Sequence, residues 1–160
     1  MVKKIAVKKP IVKKIAKKAA VKKAAVKKTP AKRKAPKKPI RTLENDLILA
    51  MSIAQGMYEK KASDIRILDL RNIAAASTNY FVISHASNDK QVDAIAKSAE
   101  EIAKKTTGDH PLHREGFENL EWVLLDYFNV VASVFQKEKR EFYALEELWG
   151  DALDVKFEGK

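Results

Sequence analysis

The chain contains no cysteine and only five glycines among its 160 residues. Without cysteine it can form neither a disulfide framework nor a thiolate metal site, which is typical of a protein that works in a reducing compartment such as the cytoplasm. The glycines stand far apart, at positions 56, 108, 116, 150 and 159. This spacing excludes a Walker or dinucleotide-binding loop, because such a loop needs several glycines close together.

Long apolar runs are missing as well. No segment approaches the roughly 18 apolar residues that a membrane-spanning helix needs. Lysines interrupt the N-terminal region every few residues, so it lacks the apolar stretch of a secretory signal. The same region contains no serine and only two arginines, unlike an organelle transit peptide. We therefore expect a cytoplasmic protein with no membrane partner.

Acidic residues are absent from residues 1–41, which hold 16 lysines and two arginines, a net charge of +18. Residues 42–160 hold the remaining 14 basic and all 21 acidic residues, a net charge of −7. The +11 of the whole chain thus describes neither part. This division predicts a basic arm attached to an acidic globular domain.

Lysine doublets recur along the arm, mostly at five-residue steps, and four prolines interrupt them. Because prolines break helices and dense like charge opposes collapse, residues 1–41 are predicted to be disordered. Eighteen cations without an acid favour nucleic-acid phosphates as the partner, RNA above all. The alternatives are a solubilising tail and an arm that folds back on the acidic domain. The lysines assigned to the nucleic-acid contact are Lys3, Lys4, Lys8, Lys9, Lys13, Lys14, Lys17, Lys18, Lys22, Lys23, Lys27 and Lys28.

The remaining residues show the periodicities of an α/β protein with a mixed sheet and helices packed on it. We expect one domain over residues 42–155 and a C-terminal tail over residues 156–160. The strands of the expected hairpin, 122–125 and 130–135, are apolar almost throughout, which predicts that both of their faces are covered. Gly56 weakens the last turn of the first helix. The predicted elements are a helix over 42–61, strands over 65–70 and 80–84, a helix over 87–105, a short strand over 111–115, the hairpin and a helix over 137–149.

No residue pattern in the chain outweighs its structural explanation as a catalytic site. His110 and His113 lie in a polar loop beside proline, not on a helix face that would suit a metal ion. The serines near His85 lack the elbow of a nucleophilic serine. We therefore expect no catalytic residue, no metal and no cofactor. Trp122 suits a core position and an interface anchor equally well, whereas helical spacing favours core packing for most of Phe142, Tyr143 and Trp149.

Three segments resemble the ribosomal silencing factor family, also called Iojap-like proteins. They are ASDIRILDLRNIAAASTNYFVISHASNDKQVDAIA (62–96), REGFENLEWVLLDYFNVVASVF (114–135) and REFYALEELWGDA (140–152). The resemblance implies a nucleotidyltransferase-like topology without an enzymatic role. It also implies binding to the fourteenth protein of the large ribosomal subunit, which blocks subunit joining and represses translation or assists subunit maturation. It permits a homodimer of the free protein.

The resemblance assigns the contact with that ribosomal protein to Trp122 first, with Glu115 and Asp126 as acidic partners. Gly116, Tyr80 and Tyr143 complete the expected site. Asp69, Phe81, Leu148 and Trp149 also match the family pattern. Once the domain is docked on the ribosomal protein, the basic arm would lie beside rRNA and bind it.

The sequence departs from the family pattern at four positions. Phe128-Asn129 stands where the family usually has Gly-Asp, Ser133 where a histidine is common, and His85 where a glycine is common. Two other functions stay open at this point. One is a degenerate metal-dependent nucleotidyltransferase that uses Asp69 and Asp126, and the other is a nucleic-acid-binding protein led by the basic arm.

Deleting residues 1–41 should make binding to large ribosomal subunits less sensitive to salt. Each lysine that neutralises a phosphate releases counterions, so a chain with the arm loses affinity more steeply as salt rises. Salt titrations of the full chain and of residues 42–160 measure the two slopes on a log–log plot. Identical slopes would rule the arm out as an rRNA contact.

Overall fold

The computed structural model describes residues 42–159. The predicted disordered arm and its lysines lie outside the described residues. The described part forms, in chain order, α1 (Leu43–Glu59), β1 (Ser63–Asp69), β2 (Tyr80–Ala86), α2 (Asp89–Thr107), β3 (His113–Glu115), β4 (Trp122–Asp126), β5 (Val130–Gln136), α3 (Lys137–Tyr143), α4 (Leu145–Leu148) and β6 (Leu153–Val155).

The strands form one mixed sheet in the order β3-β4-β5-β2-β1-β6. At its centre β2 and β5 run parallel, from the pair Tyr80 and Val130 to the pair Ala86 and Gln136. All the other neighbouring strands are antiparallel. The predicted α/β fold with a mixed sheet is confirmed.

Helices α1 and α2 pack on each other and on one face of the sheet. Each begins at a side-chain cap: the Thr42 hydroxyl accepts a hydrogen bond from Asn45 N at 3.4 Å, and Asn88 Oδ1 accepts one from Gln91 N at 2.9 Å. Helix α2 ends at Gly108, whose φ of +76° suits a residue without Cβ. The caps place both helices where the hydrophobic periodicity predicts them.

The two helices approach most closely at Gly56. A Cβ atom at this position would lie 2.6 Å from the Cα atom of Ala99, a distance that no packed side chain tolerates. The sequence indicates only that Gly56 weakens the last turn of α1. The structure shows what the glycine provides, which is contact between the backbones of the two helices.

The sheet has a second face, opposite the helices, and strand alternation divides the residues between them. In β5, Ala132 and Val134 point into the core under α1 and α2, whereas Phe135 belongs to a second apolar cluster on the other side. On that side Leu124 and Val131 are only half-buried. The prediction that both faces of the hairpin are covered is therefore wrong for part of the second face.

The C-terminal segment, residues 137–155, covers the rest of the second face. Leu145 and Trp149 pack on buried Leu68, Ile83 and Phe135. Strand β6, which the sequence analysis does not predict, pairs with β1 and extends the sheet by one strand. Residues 156–159 carry no helix or strand.

Two features of this C-terminal region differ from prediction. Ala144 adopts a left-handed conformation (φ +43°, ψ +47°) and divides the expected helix over 137–149 into α3 and α4. Consequently Phe142, for which helical spacing favours core packing, is exposed, and so is Leu148. Phe157, within the expected tail, packs against the core under α1.

Arg140 fastens the C-terminal segment to the sheet. Its guanidinium group is buried and donates hydrogen bonds to Glu146 Oε1 at 2.7 Å and to the backbone oxygen of Asp64 at 2.7 Å. Its Nη1 also lies 2.9 Å from Nδ1 of His85. One side chain thus joins α3, α4, β1 and β2.

The contact with Arg140 requires neutral His85, because only an unprotonated Nδ1 accepts a hydrogen bond. Burial and the charge of Arg140 lower the pKa of His85, Lys137 lowers it further, and Asp64 and Glu141 partly oppose the change. The unfolded chain, with a histidine pKa of about 6.5, binds this proton more readily than the folded chain. The free energy of unfolding therefore falls as pH drops below about 6.5.

His85→Gln should weaken this fall in stability between pH of about 7 and 5, because glutamine still offers an oxygen to Arg140 and does not titrate. Urea denaturation of both proteins at a series of pH values measures it. His113→Gln, at an exposed position on β3, is the matched control and should keep the wild-type profile. Parallel profiles for wild type and His85→Gln would contradict the role given to His85.

Candidate functional site

Four aromatic rings lead from the core of the domain to its surface. Trp122 stacks on buried Phe135, with ring centroids 4.9 Å apart and planes at 22°. Tyr143 lies 5.0 Å from Trp122, and Phe142 meets Tyr143 edge-on at 5.2 Å. Exposure rises along this aromatic ladder to 47% at Tyr143 and 78% at Phe142. The outer two rings present apolar surface to solvent on a well-packed base.

A hydrogen bond fixes the orientation of Trp122. Its indole Nε1 donates to Oγ of Ser133, 3.2 Å away on the neighbouring strand. Ser133 is fully buried. With its only donor satisfied inside the protein, the half-buried indole offers an outside partner its apolar ring.

Beside the ladder lies a recess of about 210 Å³ with a mixed acidic and apolar lining. Its residues are Glu115, Gly116, Asn119, Glu121, Trp122, Leu124 and Tyr143. Gly116 has a φ of +82°, and a Cβ atom there would lie 1.8 Å from the backbone oxygen of Trp122. The recess therefore depends on a glycine at this point.

Acidic side chains surround the recess. Glu115 is exposed, and it pairs with Leu124 across β3 and β4. Glu121 forms an ion pair with Lys139 at 3.0 Å, and this hydrogen bond raises the pKa of Lys139. The surroundings suit a partner that brings positive charge to an apolar centre.

The second sheet face continues from the recess along β4 and β5. Leu124, Asp126 and Val131 are half-buried there, with Asp126 directly opposite Val131. We call these three residues the open face. Together, the aromatic ladder, the recess and the open face form one surface, called the docking surface below.

Asp69 and Asp126, the carboxylates considered for a nucleotidyltransferase, lie apart. Asp69 pairs with Tyr80, whose ring lies in the core under the helices, whereas Asp126 pairs with Val131 on the opposite sheet face. Asp69 also binds Arg71 through both carboxyl oxygens, and these hydrogen bonds lower the pKa of Asp69. Two carboxylates on opposite faces of a sheet cannot hold one metal ion between them.

Within residues 42–159, no three histidine, aspartate or glutamate side chains are grouped so that they could hold a metal ion. In the same part of the chain, no helix has the length and apolar character to cross a membrane.

Sequence comparison decides the family. The family model described as "Ribosomal silencing factor during starvation" matches residues 43–160. The chain belongs to the ribosomal silencing factor family. It is 44% identical over 99 residues to ribosomal silencing factor RsfS of Bacillus subtilis. That match covers 62% of this chain and 82% of the relative. Over 117 residues it is 36% identical to RsfS of Halalkalibacterium halodurans, covering 73% of this chain and 97% of that one.

A solved structure agrees with the sequence relatives. The crystal structure of a protein from Bacillus halodurans superimposes with a TM-score of 0.58 at 33% sequence identity. The match covers 71% of this chain and 99% of that chain. The described domain therefore shares its fold with that protein.

Four of the six site residues expected for this silencing factor family come together in the structure. Trp122, Glu115, Gly116 and Tyr143 line the recess. Asp126 lies at the far end of β4, on the same sheet face as Trp122.

Tyr80 does not belong to this surface. It is 1% exposed and packs in the core under α1 and α2, and burial raises its pKa. Arg71 lies over its ring at 5.2 Å. Tyr80 begins β2 as Trp122 begins β4, but the two residues point to opposite faces of the sheet. The sequence pattern does not reveal which face carries the site.

Phe142 is the surface residue that sequence reasoning missed. Helical spacing over 137–149 favours a core position for Phe142, yet α3 has only seven residues and ends at Tyr143. One sequence feature that could have indicated the exposure of Phe142 is the acidic residue directly before it, Glu141.

Gly116→Ala should destabilise the domain by more than about 2 kcal/mol, because the new methyl group collides with the backbone of Trp122 and φ is positive. Thermal and urea denaturation measure the loss. Gly150→Ala is the control, because its Cβ would meet only the Glu147 oxygen at an ordinary 3.5 Å. Equal stability of the two variants would contradict the close contact at Gly116.

Proposed function

We propose that this silencing factor binds a basic protein of the large ribosomal subunit, the fourteenth in its numbering, through the docking surface, and that it thereby prevents the small subunit from joining. The observation that supports this best is the aromatic ladder. It ends in an exposed phenylalanine on a surface that the fold itself does not cover. Clustered aromatic residues of this kind dominate binding energy at protein interfaces.

The physical argument begins with the apolar content of the surface. Leu124 and Val131 are aliphatic residues on strands, yet the protein leaves both partly exposed on the sheet face that also carries Trp122. Exposed apolar surface, where it is contiguous, marks an interaction site in a soluble domain. Packing it against a partner removes that surface from water at about 25 cal/mol per Å².

Charge selects the kind of partner. The domain carries a net −7, and Glu115, Glu121 and Asp126 surround or lie on the docking surface. A domain of this charge repels rRNA phosphates but attracts a basic ribosomal protein, which speeds encounter and rejects acidic surfaces. The basic arm would then reach neighbouring rRNA; this part of the proposal concerns residues 1–41, outside the described residues.

The mechanism needs no chemical step. A domain of about 118 residues has a radius of gyration near 14 Å, so the body is roughly 35 Å across. Bound on the face of the large subunit that meets the small one, such a body fills the space in which the subunits would touch. Translation is repressed because subunits that cannot join cannot initiate. The same binding would keep the protein on large subunits in the cytoplasm. It would also let the protein assist the maturation of those subunits.

Homodimerisation of the free protein remains part of the proposal. A second copy would bring its own acidic residues to the same surface. The basic ribosomal surface is therefore the better electrostatic match, and binding to the subunit should separate two copies that meet there.

Phe142→Ala and Trp122→Ala should each weaken binding to isolated large subunits by more than about 1 kcal/mol, roughly fivefold or more, if both rings are hot spots. Phe142 is the sharper test, because its exposed ring contributes little to folding. Co-sedimentation with large and with small subunits measures binding. We expect none to the small subunit.

Leu43→Ala, an exposed leucine at the start of α1, is the matched control and should bind as wild type does. A subunit-joining assay completes the test. The proposal would be wrong if large and small subunits joined normally while the protein saturated its site on the large subunit.

A further inference from the structure

The recess beside the aromatic ladder carries acceptor oxygens that the fold leaves unused. The exposed Glu115 carboxylate has no hydrogen bond or ion pair with any group of residues 42–159. Glu121, which also lines the recess, binds Lys139 through Oε2, and its side chain stays 47% exposed. The phenol oxygen of Tyr143 can accept a further hydrogen bond. These oxygens suit a ligand that donates hydrogen bonds and carries positive charge.

The described part of the chain puts no cation into this recess, because its seven lining residues include neither lysine nor arginine. The nearest arginine in sequence, Arg114, points to the opposite sheet face, since it pairs with Leu125, a residue of the core under the helices. Its guanidinium group binds Glu100 of α2 at 3.2 Å and lies 4.7 Å from the centroid of the Phe117 ring. The Glu115 carboxylate is therefore left for a cation from outside.

Three side chains supply apolar walls to the recess, namely Trp122, Leu124 and Tyr143. The stacking of Trp122 on Phe135 and its hydrogen bond to Ser133 hold the indole in place. The Tyr143 ring lies 5.0 Å from that of Trp122, tilted by 47°. Aromatic rings attract a cation through their π electrons, and an aliphatic wall can cover the stem of a long charged side chain.

The size of the recess limits the ligand to a single side chain. Its volume is about 210 Å³. That is the share of roughly seven water molecules at about 30 Å³ each. A helix, roughly 10 Å across with its side chains, is too wide to enter. The ligand is therefore a long cationic side chain that projects from the surface of a partner.

The chemistry of the lining favours arginine over lysine. A guanidinium group is planar, stacks on aromatic rings and donates two parallel hydrogen bonds to one carboxylate. The ammonium group of lysine is compact and strongly hydrated, so it loses more on leaving water. A recess that combines two aromatic rings with an unpaired carboxylate matches the guanidinium group better.

We infer that the recess receives one arginine side chain of the basic ribosomal protein, with Glu115 accepting its paired hydrogen bonds between the rings of Trp122 and Tyr143. This inference rests on the proposed function and names the group that the docking surface recognises. Glu121 adds negative charge at the same place. Such a receptor discriminates against rRNA, which has no cationic group to insert, and against a surface that offers only lysine.

Glu115→Gln tests the inference, because it removes the charge and keeps the shape of the side chain. Affinity for purified large subunits should fall about tenfold, as for the loss of a hydrogen-bonded charge pair. The melting temperature should not change, since the carboxylate has no partner among residues 42–159. Full-length protein is used, at raised salt that screens the attraction of the arm.

Glu118→Gln is the matched control. Glu118 is exposed in the same loop and its loss changes the net charge equally, but it does not line the recess. Its affinity should stay within about twofold of wild type, as expected for an exposed charge. Phe142→Ala, whose ring does not line the recess either, is measured in parallel as the indicator of the proposed function.

A small-molecule probe tests the recess without the ribosome. Nα-acetyl-arginine amide is titrated into isotopically labelled full-length protein, and nuclear magnetic resonance follows the indole N–H signal of Trp122. That signal should shift saturably in the millimolar range, and Glu115→Gln should abolish the shift. The citrulline amide, a neutral molecule of the same shape, should leave the signal in place. Trp149 lies outside the recess and provides the internal control.

Each outcome decides one question. If Phe142→Ala weakens subunit binding and Glu115→Gln does not, the arginine receptor is wrong and the proposed function stands. If neither variant weakens binding, the docking surface is misplaced and both proposals fail. Equal losses for Glu115→Gln and Glu118→Gln would show a general effect of charge and overturn the receptor. So would equal shifts of the Trp122 signal by the arginine and citrulline amides.

Discussion

Two helices cannot cover both faces of a six-stranded sheet. Six strands at about 4.8 Å spacing make a sheet roughly 24 Å wide, and two packed helices about 10 Å apart cover one face of it. This chain places α1 and α2 on the same face, in contact at Gly56 and Ala99. The other face has only the short C-terminal segment, so part of β4 and β5 remains open. The docking surface exists because the domain has no helices left to cover this part of the second face.

The C-terminal segment covers part of the second sheet face, and Arg140 holds it there. Its guanidinium group joins that segment to β1 and β2. The packed half of the face supports Phe135, and Phe135 supports Trp122. The exposed rings therefore stand on a rigid base without needing a helix above them. Rigidity and exposure, which usually oppose each other, occur together here.

The sequence predicts well where local chemistry decides the structure. The caps at Asn88 and Gly108 frame α2, and Asp and Asn mark the bend of the hairpin. It predicts poorly where tertiary contacts decide. A left-handed Ala144 has no compositional signal, and three residues of β6 are too few for a periodicity. An apolar strand residue such as Val131 also looks the same whether its cover is a helix of its own chain or another protein. For the candidate site, the family resemblance supplied Trp122, Tyr143, Glu115 and Gly116, which the structure places around one recess. It also supplied Tyr80, which the structure buries in the core.

The parallel pairing of β2 with β5 has a consequence for synthesis. It joins Tyr80 to Val130, fifty positions later in the chain. Strand β4 cannot find its neighbour until β5 has been made, and the rings at 142 and 143 follow later still. A nascent chain emerging from a ribosome therefore has no complete ladder to offer.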